Sequence, residues 1–211
     1  MKIGIMGTGN MGSALGVAWC AQGYDIMFGS RDPEKARALA EKVHECSRGG
    51  SIAETAAFGD VVVLAVPWTA AQVTIHAAAD LSGKILIDIT NPIRPQMAGL
   101  AVKAGSSAAE EIAVWAKGAH VVKAFNSMAY DTLLAPDFDG QAAASFYCGD
   151  DQAAEGHVAQ LSAAIGLDPV DCGPLEMARY LEPLAFLWIS LAFRQGEGRE
   201  RAFGWLRKAT T

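Results

Sequence analysis

Gly7-Thr8-Gly9-Asn10-Met11-Gly12 is a G-x-G-x-x-G loop set between a short apolar run, Ile3 to Met6 opened by Lys2, and a helix-like segment over 11–22. In a strand-turn-helix setting this spacing is the chemistry of a dinucleotide site. The first glycine permits the tight turn, the second lets the backbone approach a pyrophosphate, and the third lets the helix pack closely on the strand. The N–H groups at the helix N-terminus then face the phosphates. The loop lies within the first dozen residues, and Gly16 extends the small face of the helix by one turn. Both features favour phosphate binding over a bare turn.

The end of the second strand, 24–28, selects the nucleotide. A free ribose 2′-hydroxyl is normally held by an acid about 20 residues past the glycines. Here the strand runs into Gly29-Ser30-Arg31, so a hydroxyl and a guanidinium fork stand where a carboxylate would repel a 2′-phosphate. The expected cofactor is NADP(H). Asp32-Pro33-Glu34 reads as a helix cap, a proline at the first helical position and an acid in the first turn, which gives Asp32 a structural role. Lys35, one turn further on, is either a second charge for the phosphate or an ordinary solvated lysine.

Other candidate groups sit where predicted strands end. Val66-Pro67-Trp68 and Asn91-Pro92 each turn the chain out of the sheet, since proline cannot continue a buried ladder. Carbonyls there are left free for a nicotinamide amide, and Trp68 reads either as a wall for the ring or as a packing residue. Asn126 closes a further strand. The histidines His44, His76, His120 and His157 show no triad or metal-ligand spacing and are read as surface or structural groups. Lys123, inside an apolar strand, is read as a packing or ion-pairing residue rather than a base. Cys20, Cys46, Cys148 and Cys172 lie far apart with no C-x-x-C and read as reduced apolar fillers, with no metal site.

The elements that must hold these groups alternate. Strands are expected at 2–6, 24–28, 44–47, 61–66, 84–89 and 120–125, and helices at 11–22, 33–43, 51–57, from 68 to about 79, and 107–117. The run Val61 to Val66 reads as a centre strand buried on both faces. Such alternation predicts an α/β fold, a Rossmann-like, doubly wound, mostly parallel sheet with helices on both faces. Beyond 126 the expectation is a loop at 131–140, a strand at 144–148, a helix at 151–165, a strand at 169–172 and a long helix at 174–195 kinked by Pro183. Residues 1–211 are expected to form a single NADP-binding domain, with a Rossmann core over 1–126 and a short C-terminal α/β extension over 127–211.

With 211 residues, 51% of them apolar, the chain can bury one sizeable core. Its net charge of −6 supplies no Lys/Arg cluster to neutralise a run of phosphates, which argues against nucleic acid and anionic membranes and for a small ligand. The apolar stretch 184–193 is about half of the ~20 residues that cross a bilayer, so it reads as a buried or interface helix. The N-terminal run is broken by Gly4 and Gly7 and reads as a strand, not a signal peptide. A cytoplasmic protein is expected. Leu181, Leu184, Ala185, Leu187, Trp188, Leu191 and Ala192 give the last helix more apolar surface than one core-facing stripe needs, which predicts a homodimer.

Taken together, the glycine loop, Gly29-Ser30-Arg31, Val66-Pro67-Trp68, Asn91-Pro92, Val121-Val122-Lys123-Ala124-Phe125-Asn126, Cys148-Gly149-Asp150-Asp151 and Gly173-Pro174-Leu175 resemble the NADPH-dependent deazaflavin (coenzyme F-420) reductase family. The set is also similar to the cytosolic oxidoreductase domain of the STEAP-type ferric reductases. The resemblance implies Thr8, Ser30, Arg31 and Lys35 around the adenosine phosphate. It implies Val66, Pro67, Asn91, Pro92, Ala124 and Asn126 along the nicotinamide. Lys123-Ala124-Phe125-Asn126-Ser127 is closer to the ferric-reductase pattern, which leaves the electron acceptor open between deazaflavin, flavin and another small molecule. Hydride transfer between such rings needs alignment more than an acid or base, so no side chain is assigned a catalytic role. An NADP-dependent dehydrogenase of a small carbonyl or imine and a non-catalytic NADPH sensor are the competing readings.

Overall fold

Residues 1–43, 45–206 and 208 are described by a computed structural model. The chain begins with β1 (Lys2–Met6), α1 (Asn10–Ala21), β2 (Asp25–Ser30), α2 (Pro33–Val43), β3 (Ser47–Ser51), α3 (Ile52–Phe58), β4 (Val61–Leu64), α4 (Trp68–Ala77), β5 (Ile85–Asp88), α5 (Ala108–Trp115) and β6 (His120–Lys123). There follow α6 (Tyr130–Leu134), a hairpin of β7 (Asp137–Phe138) and β8 (Gln141–Ala142), β9 (Ala144–Gly149), α7 (Gln152–Ala164), β10 (Asp168–Asp171) and α8 (Ala178–Ile189).

The main sheet runs β10-β9-β6-β5-β4-β1-β2-β3. Strands β1 to β6 pair in parallel, β9 is antiparallel to β6, and β10 is parallel to β9. The fold is therefore the expected Rossmann-like α/β architecture with a mostly parallel sheet. The chain winds outward from β1 to β3 and then returns to β4 on the other side of β1. At that reversal the loops after β1 and β4 diverge and leave a crevice at the carboxyl ends of the strands.

Strand periodicity explains why both faces are covered. Side chains alternate along a strand. Val61 and Val63 join one core with Leu15, Trp19, Phe28 and Leu161, while Val62 and Leu64 join a second with Ile75, Leu86, Ile112 and Leu181. A strand apolar at every position needs a helical layer on each side.

Several sequence expectations shift. The third strand lies at Ser47–Ser51 rather than 44–47, and His44 is outside the described residues. Its Ser-Arg-Gly-Gly-Ser sequence has no β-branched residue, and Gly49 is needed because a Cβ there would run into the backbone of α2 at Ala36 and Arg37. Residues 131–140 are not a plain loop. Leu133 is buried in α6, and the segment then forms a two-residue hairpin through Asp139 (φ 53°) and Gly140 (φ 84°), the Asp-Gly signature of a type I′ turn. The last helix is composite. A 3₁₀ turn (Leu175–Met177) precedes α8, which runs on through Pro183 and ends in a π turn (Ser190–Arg194).

The cysteines are corrected as well. Cys20, in the last turns of α1, and Cys46, in the turn before β3, form a disulfide across Cα atoms 5.9 Å apart, so they are not reduced fillers. This pairing removes the cysteine argument for a reducing compartment. Cys148 and Cys172 are free. Burial pushes the Cys148 thiol up to about 12.

Candidate functional site

The glycine loop lies in the crevice between β1 and β4. Gly7 has φ +131° and donates its N–H to the Gly29 carbonyl at 2.9 Å. A side chain there would meet the Ala65 carbonyl, so position 7 admits glycine alone. Gly12 is equally confined, since an added Cβ would stand 2.8 Å from the Gly7 oxygen. Gly9 differs from both. It caps α1 in extended conformation, and no protein atom lies within 4 Å of where its Cβ would be. The second glycine of the loop thus faces open space.

Asn10 and Met11 form the first turn of α1, which has no side-chain cap and no acidic residue there. Its leading N–H groups and the positive end of the helix dipole are left for an external anion. This geometry fits a pyrophosphate: an uncapped helix N-terminus, a turn that only glycine can make, and a clear approach over Gly9.

A groove of about 210 Å³ follows the loop. Thr8, Gly9, Ser30 and Arg31 line one part, and Ala65, Val66, Pro67 and Ala70 another, with Ile52 and Thr74 completing the wall. Arg31 is exposed and has no ion-pair partner among the described residues. Ser30 Oγ accepts the Asp32 N–H at 3.2 Å, which fixes the turn while leaving its own hydroxyl proton to donate. Asp32 Oδ1 in turn accepts the Glu34 N–H at 3.2 Å, so this acid caps α2 as its sequence context suggests. Lys35 is exposed on α2 and does not line the groove.

Asn91, Pro92, Ala124 and Asn126 do not line this groove; they lie at the carboxyl ends of β5 and β6, where the two following loops are tied together. Asn91 Nδ2 donates to the Asn126 carbonyl at 2.9 Å. Asn126 Nδ2 donates to Asn91 Oδ1 at 3.3 Å and to the Leu181 carbonyl on α8 at 3.1 Å. Those two acceptors orient the amide, and Asn126 Oδ1 is buried without a partner among the described residues. Pro92 and Ala124 are buried beside this pair. Trp68 opens α4 and stacks on Trp115 of α5 with ring centroids 5.3 Å apart, outside the groove lined by Val66 and Pro67.

Beneath the Asn91–Asn126 pair lies a cluster that sequence reading left incomplete. Strand register sets Asp88 beside Lys123. Lys123 Nζ donates to Asp88 Oδ2 at 2.8 Å and to the Thr90 carbonyl at 2.6 Å, with Glu182 Oε1 at 3.4 Å. All three charged side chains are almost fully buried. Burial lowers the Lys123 pKa, but Asp88 and Glu182 together outweigh it and raise the ammonium above its usual value. Burial raises the Glu182 carboxyl, opposed by Lys123 and by the Ala108 and Ala109 N–H groups of α5. The signal in the sequence was one unlike charge in each of two apolar strands, Asp88 and Lys123.

The model of the family "NADP oxidoreductase coenzyme F420-dependent" matches residues 2–92. The F420-dependent NADP reductase of Methanothermobacter marburgensis is 34% identical over 208 residues, covering 90% of this chain and 92% of that protein. Metalloreductase STEAP3 of Rattus norvegicus is 29% identical over 184 residues, covering 87% of this chain but 36% of its own. A solved chain from Arthrobacter sp. FB24 superposes with TM-score 0.88 at 30% identity, covering 98% of this chain and 100% of that one. A reductive aminase from Aspergillus terreus shares the fold at TM-score 0.67 and 22% identity, over 92% of this chain and 62% of its own. On the sequence match, which spans nearly the whole length of both chains, this chain belongs to the family of F420-dependent NADP reductases.

Proposed function

We propose that this chain is an NADPH-dependent oxidoreductase that moves hydride between NADPH and the deazaflavin coenzyme F420. The observation that carries the reading is the groove itself: an uncapped α1 N-terminus and an open Gly9 at one point, and, at the end of β2, Ser30 with an Arg31 that has no ion-pair partner among the described residues. Membership of the reductase family supplies the acceptor class. In this reading the N–H groups around Thr8, Asn10, Met11 and Gly12 hold the pyrophosphate. Ser30 and Arg31 hold the 2′-phosphate, with Lys35 adding a more distant positive charge. Val66, Pro67, Asn91, Pro92, Ala124 and Asn126 border the nicotinamide, and Trp68 braces that wall through Trp115.

Bound NADPH supplies a hydride from its nicotinamide, which the acceptor ring takes together with one solvent proton. The task of the chain is to align two flat rings and exclude water between them. A flavin is the second acceptor to consider, because Lys123-Ala124-Phe125-Asn126-Ser127 resembles the ferric-reductase pattern. A cytoplasmic location is part of the same proposal and rests on the small-molecule chemistry alone. So is a homodimer built on α8.

Anaerobic NADPH oxidation, followed in parallel with F420, FMN, FAD and a ferric chelate, tests the reading. Reduction of F420 at the highest kcat/KM is the expected result. NADPH binding without reduction of any of the four would remove it in favour of a sensor or a carbonyl-type dehydrogenase.

A further inference from the structure

The buried charges beneath the nicotinamide end are poorly explained as stabilising contacts. An ammonium and two carboxylates taken out of water recover little more than their desolvation, and well-packed apolar residues would serve the core as well. What the cluster does hold is specific. Asp88 Oδ1 accepts the Thr90 N–H at 2.8 Å, while Lys123 Nζ, bound to Asp88 Oδ2, donates to the Thr90 carbonyl at 2.6 Å. Both peptide groups of Thr90 are therefore fixed by one ion pair, and the next residue is Asn91. On the other side Glu182 ties α8 to the first turn of α5, and the carbonyl immediately before it, on Leu181, receives Asn126 Nδ2. The same three side chains thus set the backbone beneath Asn91 and the helix that orients Asn126.

We propose that Lys123, Asp88 and Glu182 are positioning residues that set the Asn91–Asn126 pair against the nicotinamide. The proposal rests on the proposed function above, in which that pair borders the nicotinamide. It requires no contact between the three charges and the cofactor. Its signature is a separation of the two ends of the site: the adenosine end, built on β1, β2 and α1, should not register the loss of the cluster.

The test compares NADPH with 2′-phosphoadenosine 5′-diphosphate, which lacks the nicotinamide, by calorimetry on the full chain. The variant is Lys123→Met combined with Asp88→Asn, which removes one charge of each sign and keeps an acceptor for the Thr90 N–H. Fragment affinity should stay within about twofold while NADPH affinity falls about fivefold or more. With a competent acceptor, kcat should fall about 10- to 100-fold, the range expected for slight misplacement of reacting groups. Glu182→Gln, which alters the cluster from the α8 side and keeps its volume, should give the same pattern and decides the matter if the double variant does not fold. Parallel loss of NADPH and fragment binding, or no change in either, would overturn the proposal. The binding comparison needs no acceptor, so it stands or falls separately from the identity of the reaction.

Discussion

At the scale of a single side chain, the proposed selection of NADPH rests on Arg31. It stands at the groove with no ion-pair partner among the described residues, where a carboxylate would select the unphosphorylated nucleotide. A charge-assisted bond contributes roughly 1.5–3 kcal/mol, so Arg31→Asp should weaken NADPH binding at least ~10-fold and leave NADH binding little changed. Isothermal titration of both nucleotides checks this. Equal affinity of the native protein for the two would sink the assignment. Asp32, one residue on, carries the opposite charge, but its carboxylate is engaged at the start of α2.

Among elements, the contacts that hold α5 and α8 together have a calculable pH signature. Arg179 on α8 forms a two-pronged pair with Glu110 on α5, with Nε to Oε2 at 3.0 Å and the second nitrogen to Oε1 at 2.5 Å. The Arg179 hydrogen bond, ahead of the opposing cost of burial, holds the Glu110 carboxyl below its usual range. A carboxyl lowered in the folded state contributes stability above its unfolded pKa and loses it as pH falls through the folded value. Arg179→Ala should therefore be less stable at neutral pH, and the gap should close on acidification; urea denaturation at several pH values measures it. A gap that widens on acidification would contradict the pairing.

A second inter-element link, Cys20–Cys46, closes a loop between residues 26 apart in sequence, worth about 3.5 kcal/mol in the chain-entropy account. Reduction should lower the denaturation midpoint accordingly. Thiol titration of the unfolded protein should find two free groups without reductant and four with it. Finding four without reductant would overturn the pairing.

For the whole molecule, the composite helix divides its apolar residues between two destinations. Leu181, Ala185, Trp188 and Ala192 are buried at successive helical turns. Tyr180, Leu187 and Leu191 form a parallel stripe that stays 68%, 51% and 42% exposed, continued by Phe193 at 59%. Large exposed apolar patches are uncommon on monomers. In the proposed homodimer this stripe meets its copy, and Leu187→Glu with Leu191→Glu should convert the dimer to a monomer in light scattering. A native protein already monomeric at micromolar concentration would exclude that assembly. The sequence had assigned the surplus to the same helix but could not divide it, since only the packing of α8 against α5 and β9 determines which stripe is covered.

The parts legible in the sequence were those whose cause is local. A backbone that must turn and stay open left glycines at 7, 9 and 12, and a both-sided strand left the unbroken Val61–Leu64 run. The cap of α2 left Asp32 before Pro33. These choices are made within a few residues, by steric exclusion, hydrogen-bonding valence or charge. Other features belong to the tertiary structure alone: the partnership of Lys123 with Glu182, the Cys20–Cys46 bond, the stacking of Trp68 on Trp115, and the reach of Asn126 to Leu181. Each joins elements far apart in the chain, and side-chain type constrains such contacts weakly until strand register and helix crossing bring two atoms within reach.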